Sequence, residues 1–144
     1  MAVKLLKDRG QNAKIGYGKY KNPDPTVPAS YGGGTVAVNP IANVWYDPEG
    51  HMRRSKDSGE ISSSHPLHVV HHEIGHGLYR TKMTRFSPGE QGLVRKQVST
   101  YAGKNPNEFL AEVHAGIEGG EKFSPEIMEM FRRYAGVSHK SEQP

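Results

Sequence analysis

The stretch that decides the fold is His72-Glu73-Ile74-Gly75-His76, in which two histidines stand four residues apart. Successive residues of an α-helix turn by about 100°, so side chains at this spacing lie on the same face. The imidazoles of His72 and His76 can therefore bind one metal ion from one side. Glu73 projects close by, where its carboxylate can take a proton from a water molecule that the metal activates. The pattern is typical of zinc peptidases, although five residues alone also occur by chance.

A helix is predicted around this motif, from about residue 65 to residue 80, with Ser64 as its N-cap and Pro66 in its first turn. One face of the predicted helix is apolar and comprises Leu67, Val70, Ile74 and Leu78. We expect this face to be buried and the histidines on the opposite face to line a cleft. The histidines that the site does not require are expected to be solvated, although His68 could instead line the cleft; they are His65, His68 and His71. Gly75 and Gly77 each lower helix propensity by about 1 kcal/mol, which predicts that another backbone packs closely there.

A zinc peptidase also needs a third protein ligand and an open position for water. In one known pattern the motif continues to a third histidine, but Tyr79 and Lys82 stand where glycine and histidine would be required. In another, a glutamate on a later helix lies within Asn-Glu-x-x-x-Glu, which Asn107 to Glu112 matches. Asn105 and Pro106 predict the start of that helix, which should run from 106 to about 118. Glu108 is then the candidate third ligand, and the alternative is a plain N3 glutamate that favours the helix dipole.

The sequence around this glutamate resembles a known family. The run is Ser99-Thr100-Tyr101-Ala102-Gly103-Lys104-Asn105-Pro106-Asn107-Glu108-Phe109-Leu110-Ala111-Glu112. It is similar to the gluzincin-type zincin-like metallopeptidases, in the branch of the anthrax lethal factor catalytic domain and of zincin-like domains encoded by phages and mobile elements. The resemblance covers about residues 65–118. It implies that Glu108 is the third zinc ligand and that Tyr101, seven residues earlier, assists as an acid or oxyanion donor.

The resemblance and the motif together predict an α+β, zincin-like fold, with residues 1–144 as a single metallopeptidase domain. A small N-terminal sheet should pack on the active-site helix, followed by the helix with the third ligand and a C-terminal helix. One Zn²⁺ per chain would be bound by His72, His76 and Glu108, with Glu73 as the general base for hydrolysis of a peptide bond. Glu112, one turn after Glu108, is expected to accept a hydrogen bond from the free nitrogen of a ligand histidine.

Local patterns predict the remaining elements. Strands are expected at 13–17, 35–38 and 43–46, the last two forming a hairpin in which either strand could align an extended peptide. Helices are expected at 2–9, from 87 to about 98, and from Ser124 to Gly136. Residues 19–34 and 47–64 are predicted to be loops, and the tail from about 138 is expected to fray.

Composition limits the other possibilities. A chain of 144 residues with 34% hydrophobic residues and a mean hydropathy of −0.72 suggests one domain with a modest core. The absence of cysteine excludes disulfides and thiolate metal sites. The net charge of +4 comes from scattered lysines and arginines, which does not favour nucleic-acid binding. No signal peptide or membrane-spanning stretch is evident, so the default expectation is a cytoplasmic protein without a membrane partner. If the chain is a domain of a longer protein, its localisation is undetermined.

Two other functions remain open at this stage. The chain could be a non-catalytic binding or assembly module of a phage or mobile-element protein that keeps zinc for stability. It could also be a toxin or effector protease directed at one host protein. The substrate, the parent protein and the oligomeric state do not follow from the sequence.

Overall fold

The structure is a computed structural model that describes residues 14–16, 28–32, 34–39 and 42–136. The predicted helix at 2–9 and the predicted frayed tail lie outside these residues. The described chain combines a small sheet with five α-helices, so it is an α+β structure. No helix within the described ranges is long and apolar enough to cross a membrane.

Three short strands form the sheet: β1 (Lys14–Gly16), β2 (Ala29–Gly32) and β3 (Thr35–Val38). Their order is β1-β3-β2, with β1 parallel and β2 antiparallel to the central β3. The strand prediction for 35–38 is confirmed, whereas the loop predicted for 19–34 is wrong at β2. Ala29, Val36 and Val38 are buried against the apolar face of the motif helix, so the sheet packs on that helix as expected.

The predicted strand at 43–46 is wrong, because Asn43–Tyr46 is a 3₁₀ helix. Its backbone bonds locally, with the amide of Trp45 donating to the carbonyl of Ala42 at 3.2 Å. The next helix begins directly afterwards. The carboxylate of Asp47 caps it by accepting a hydrogen bond from the amide of Gly50 at 3.1 Å. The expected hairpin between 35–38 and 43–46 is therefore replaced by the hairpin of β2 and β3.

Helix α1 (Pro48–Asp57) occupies the region predicted to be an exposed loop. Its start signal is present in the sequence, since Asp47 is the N-cap and Pro48 takes the first helical position. Met52 is buried beside Ala42 and Val44. One buried apolar side chain is too little to produce a helical hydrophobic pattern in the sequence.

The motif lies on α2 (His68–Leu78), which begins three residues later than predicted. Ser64 is not its N-cap: Leu67 holds that position without a side-chain hydrogen bond. The prediction of solvated histidines is also wrong, because His68 and His71 are buried and His65 is half-buried. Leu78, expected on the buried face, is exposed.

Three further helices follow: α3 (Glu90–Gln97), α4 (Pro106–Glu118) and α5 (Pro125–Ala135). The predicted starts of α4 and α5 are confirmed, since Asn105 and Ser124 accept hydrogen bonds from backbone amides in the first turn. Helix α4 lies at the centre, with Phe109, Leu110 and Val113 fully buried against α3 and α5. Ile117, predicted in the same stripe, is exposed.

Helices α2 and α4 touch backbone to backbone at Gly75. A Cβ atom built on Gly75 would lie 2.9 Å from the Cα of Ala111, so the predicted close backbone approach is confirmed there. At Gly77 the neighbour is different, because a Cβ would meet the side chain of Tyr31 on β2. The missing side chain at Gly75 is what allows the two helices to come this close.

Replacing Gly75 by alanine should destabilise the metal-free protein by about 1–3 kcal/mol, because the added methyl group forces the two helices apart. Gly92 provides the matched control: it lies in α3, and a Cβ there meets nothing within 4 Å. Gly92→Ala should be neutral or stabilising by about 0.5–1 kcal/mol. Chemical denaturation measures both, and equal stability of the two variants would contradict the described contact.

Candidate metal centre

The structure brings the three predicted ligands together. An oxygen of Glu108, Oε1, lies 2.7 Å from Nε2 of His76 and 3.0 Å from Nε2 of His72. The histidines are presented by α2, and Glu108 lies in the first turn of α4, where its amide donates to the Asn105 side chain at 2.9 Å. One oxygen thus faces the ring nitrogens of both histidines.

Both oxygen–nitrogen distances are those of hydrogen bonds, between atoms of the kind that also bind metal ions. The side chains of His76 and Glu108 are 25% and 18% exposed, so a water molecule can reach this side of the site. This side of the site therefore combines two ring nitrogens, one carboxylate and access to solvent.

Glu112 makes the predicted hydrogen bond to His72, one of the candidate ligands. Its side chain is 1% exposed, and Oε2 accepts from Nδ1 of His72 at 2.8 Å. The same oxygen lies 2.7 Å from Nε2 of His68. The other oxygen, Oε1, accepts from the amide of Ser62 at 3.0 Å and the hydroxyl of Ser99 at 2.8 Å. With four donors, the acceptor positions of this carboxylate are filled.

These contacts form a ladder of alternating groups, in which the order is His68, Glu112, His72, Glu108, His76. Neighbouring members of the ladder come from opposite helices. The three histidines lie on α2 and the two glutamates on α4, each set at four-residue spacing. Two sets of side chains have potential ligand atoms within 4.8 Å of one another: His68 with His72 and Glu112, and His72 with Glu73 and His76. A metal ion could be held by such a group of histidine and glutamate side chains.

The two ends of the ladder differ in their hydrogen bonding and in their access to solvent. An ionised Glu112 can only accept, so the nitrogens that face it, on His68 and His72, carry hydrogens. Those two nitrogens then have no lone pair for a metal, and the inner set is closed to solvent. The Nε2 atom of His72 faces Glu108, on the side of the ladder that is partly exposed to solvent.

The charges of the ladder depend on one another. Burial lowers the pKa of His72, but hydrogen bonds and charge from Glu108 and Glu112 raise it by more, to about 10. Burial opposes ionisation of Glu108, yet its two histidine neighbours lower its pKa to about 2. Glu112 is likewise held well below its ordinary pKa, since His68 and His72 outweigh the effect of burial. Without an ion, a proton on His72 balances the flanking carboxylates.

Glu73 lies between the sheet and the histidines. Burial raises its pKa, while His72 and His76 act in the opposite direction. A backbone hydrogen bond from Tyr31 on β2 also reaches its carboxylate. A carboxyl with a raised pKa thus lies beside the side chains that could hold an ion.

Tyr101 stands beside the same site. Its ring centre is 5.3 Å from that of His72. Burial, followed by the negative charges of Glu108 and Glu73, raises the pKa of Tyr101 to about 12, so the hydroxyl keeps its proton. That hydroxyl is hydrogen-bonded to Glu108. The predicted oxyanion donor is therefore at the site, in contact with the carboxylate of the third candidate ligand.

A pocket of about 290 Å³ opens next to Glu73 and Tyr101. Its apolar wall comes from α1, the segment after it and α2, through Met52, Ile61 and Val69. The rest of the lining is mostly polar or ionisable and includes His51 and Glu60, so the pocket has one apolar side and one polar side.

Sequence reasoning missed the residues that support Glu112. Ser62 and Ser63 are fully buried, although the run of serines predicts an exposed loop. The carbonyls of Gly59 and Glu60 in the same segment accept from the amides of Thr100 and Tyr101 at 2.9 and 3.1 Å. Nothing local in the sequence marks this segment as buried, because its partners lie some 40–50 residues away.

Comparison of this chain with models of known protein families, with curated proteins and with solved structures finds no match. The case for a function therefore depends on the geometry of the site itself.

The metal-free protein should lose stability as the pH rises from 6.5 to about 10, since the raised pKa of His72 stabilises the fold only while that ring is protonated. Glu108 acts in the opposite sense: its contribution is present above pH 4.5 and is lost towards about pH 2. The stability gained on adding zinc should instead increase with pH, because the ion competes with protons for the same nitrogens.

Thermal denaturation between about pH 5 and pH 9, with chelator or with zinc, measures both trends. His72→Gln in chelator should flatten the alkaline loss of stability. A metal-free protein that becomes more stable above pH 7 would contradict the arrangement around His72.

Proposed function

We propose that this protein is a zinc-dependent metallopeptidase with a zincin-like fold of the gluzincin type. The observation that supports this most is the position of Glu108, whose oxygen lies within 3.0 Å of Nε2 on both His72 and His76. Two helices that are distant in sequence thus present the donor set that a catalytic zinc site requires.

In this proposal His72, His76 and Glu108 hold one zinc ion. The ion supplies a Lewis acid that polarises both a water molecule and the carbonyl of the peptide bond. Glu73 accepts a proton from the attacking water as its oxygen bonds to the carbonyl carbon. Glu73 then delivers that proton to the amide nitrogen as the carbon–nitrogen bond breaks. The raised pKa of Glu73 suits a group that must both accept and release a proton.

Tyr101 would stabilise the negative charge that develops on the carbonyl oxygen. A neutral hydroxyl with a pKa of about 12 can donate a hydrogen bond to that oxygen. To do so it must give up its bond to Glu108.

The edge of the sheet offers a place for an extended substrate. The carbonyl of Pro28 accepts from the amide of Asn39 at 2.8 Å, so residues 28, 30 and 32 direct their backbone groups towards β3. The backbone groups of Ala29 and Tyr31 then point away from β3, and the Tyr31 amide reaches Glu73. In this proposal β2 aligns the peptide, in place of the strands at 35–38 and 43–46 that the sequence predicted for this role.

An extended peptide on β2 would pass Glu73 beside the apolar wall of the pocket. Ala29 at the start of the strand lines this pocket together with Val69. We therefore expect the substrate to carry an uncharged, moderately large side chain next to the scissile bond.

Zinc content and cleavage of a degenerate peptide mixture test the proposal. The expected result is about one zinc per chain and cleavage that a chelator stops and zinc restores, as the single site requires. Peptides with an apolar residue next to the cut should predominate. Zinc binding without any cleavage would favour a non-catalytic module, and cleavage of a single lysate protein alone would favour an effector protease.

Glu73→Gln should lower kcat by about 10²–10⁴-fold, because the amide cannot accept the proton of the attacking water. Zinc content should not change, since Glu73 is not among the proposed ligands. Glu126→Gln is the matched control, because Glu126 is exposed on α5. Steady-state kinetics with zinc analysis would disprove the mechanism if the Glu73 variant cleaved normally.

Tyr101→Phe should lower kcat by about 10²–10³-fold with little change in KM, since the lost hydrogen bond forms only in the transition state. Zinc affinity separates this role from another one. If the hydroxyl served only to orient Glu108, zinc binding would weaken while kcat of the zinc-saturated variant stayed near wild type.

A further inference from the structure

His68 lies at the buried end of the ladder, outside the predicted site. Its side chain is 2% exposed, and each ring nitrogen has a partner. Nε2 lies 2.7 Å from Oε2 of Glu112, and Nδ1 lies 2.9 Å from the hydroxyl of Ser63. Two contacts on opposite sides of the ring fix its orientation.

The hydrogens of this chain follow from the chemistry of its members. Since the ionised Glu112 only accepts, Nε2 of His68 must donate to it. A neutral His68 then has a lone pair on Nδ1, to which the Ser63 hydroxyl donates. The direction of donation runs from Ser63 to His68 to Glu112.

The contact determines how Glu112 can orient. Its Oε2 receives hydrogens from two rings one helical turn apart on α2, those of His68 and His72. Its Oε1 is held by Ser62 and Ser99. If His68 did not donate, Oε2 would keep a single donor in a site closed to solvent, and the carboxylate would be free to twist away from His72.

We propose that His68 is a positioning residue for the metal site: by fixing Glu112, it keeps the hydrogen of His72 on Nδ1 and directs Nε2 of His72 towards the ion. The functional motif is then longer than the initial pentapeptide and reads His68-x-x-x-His72-Glu73-x-x-His76. The inference depends on the proposed metal site but not on peptidase activity.

Two variants of similar size separate donation from packing. His68→Gln places an amide N–H at about the distance of Nε2, so it keeps the bond to Glu112. His68→Leu fills the space without a donor. Zinc dissociation constants from chelator competition should rise about 10-fold or more for the leucine variant, and by less than about threefold for the glutamine variant.

The absorption spectrum of the cobalt-substituted protein gives a second readout. The leucine variant should show a changed ligand-field spectrum, and the glutamine variant should match the wild type. Chemical denaturation of the metal-free proteins reports packing separately. Equal zinc affinity of wild type and folded leucine variant, or equal weakening in both variants, would overturn the proposal.

Nitrogen NMR of the zinc-loaded wild-type chain tests the same arrangement without a substitution. His68 should carry its hydrogen on Nε2 and His72 on Nδ1. An Nε2 of His68 that carries no hydrogen would overturn the proposal even if the leucine variant failed to fold. A chain that binds zinc in this way but cleaves nothing would refute the peptidase function alone, and a chain that binds no zinc would refute both.

Discussion

The carboxylate of Glu112 is the constraint on which the rest of the structure depends. A buried charge costs several kcal/mol unless it is paired and fully hydrogen-bonded. Here four donors reach it, from the serine segment after α1, from two histidines of α2 and from Ser99 before α4. Each of these segments has to be in place before the charge is satisfied. The requirement ties together parts of the chain that are up to 50 residues apart in sequence.

The hydrogen bonding of Glu112 also makes the two ends of the ladder different. Helices α2 and α4 run antiparallel, and close approach at Gly75 lets histidines and glutamates at matching four-residue spacing alternate between them. The inner end, at Glu112, is closed and saturated with hydrogen bonds. The outer end, at Glu108 and His76, is partly open to solvent. In the proposed function, the ion would lie at this partly open end.

Features that depend on residues close together in sequence were predicted correctly. The caps at Asn105 and Ser124, each followed by proline, set the starts of α4 and α5. Gly75, which lies in the motif helix, predicted a close helix contact. The serine segment, His68 and β2 could not be found in this way. They become buried or paired through partners distant in sequence, so their composition alone resembles a solvated loop or helix surface. The prediction of a strand at 43–46 was wrong for a related reason. Apolar residues there indicate burial, but they do not show whether a neighbouring strand is available for pairing.

The position of the bound ion tests the account most directly. Anomalous scattering at the zinc edge, from crystals of the zinc-loaded protein, would locate it without assumptions about activity. The account predicts one site within about 2.0–2.2 Å of Nε2 of His72, Nε2 of His76 and an oxygen of Glu108. A zinc ion held between His68, His72 and Glu112, or no ordered zinc at all, would contradict it.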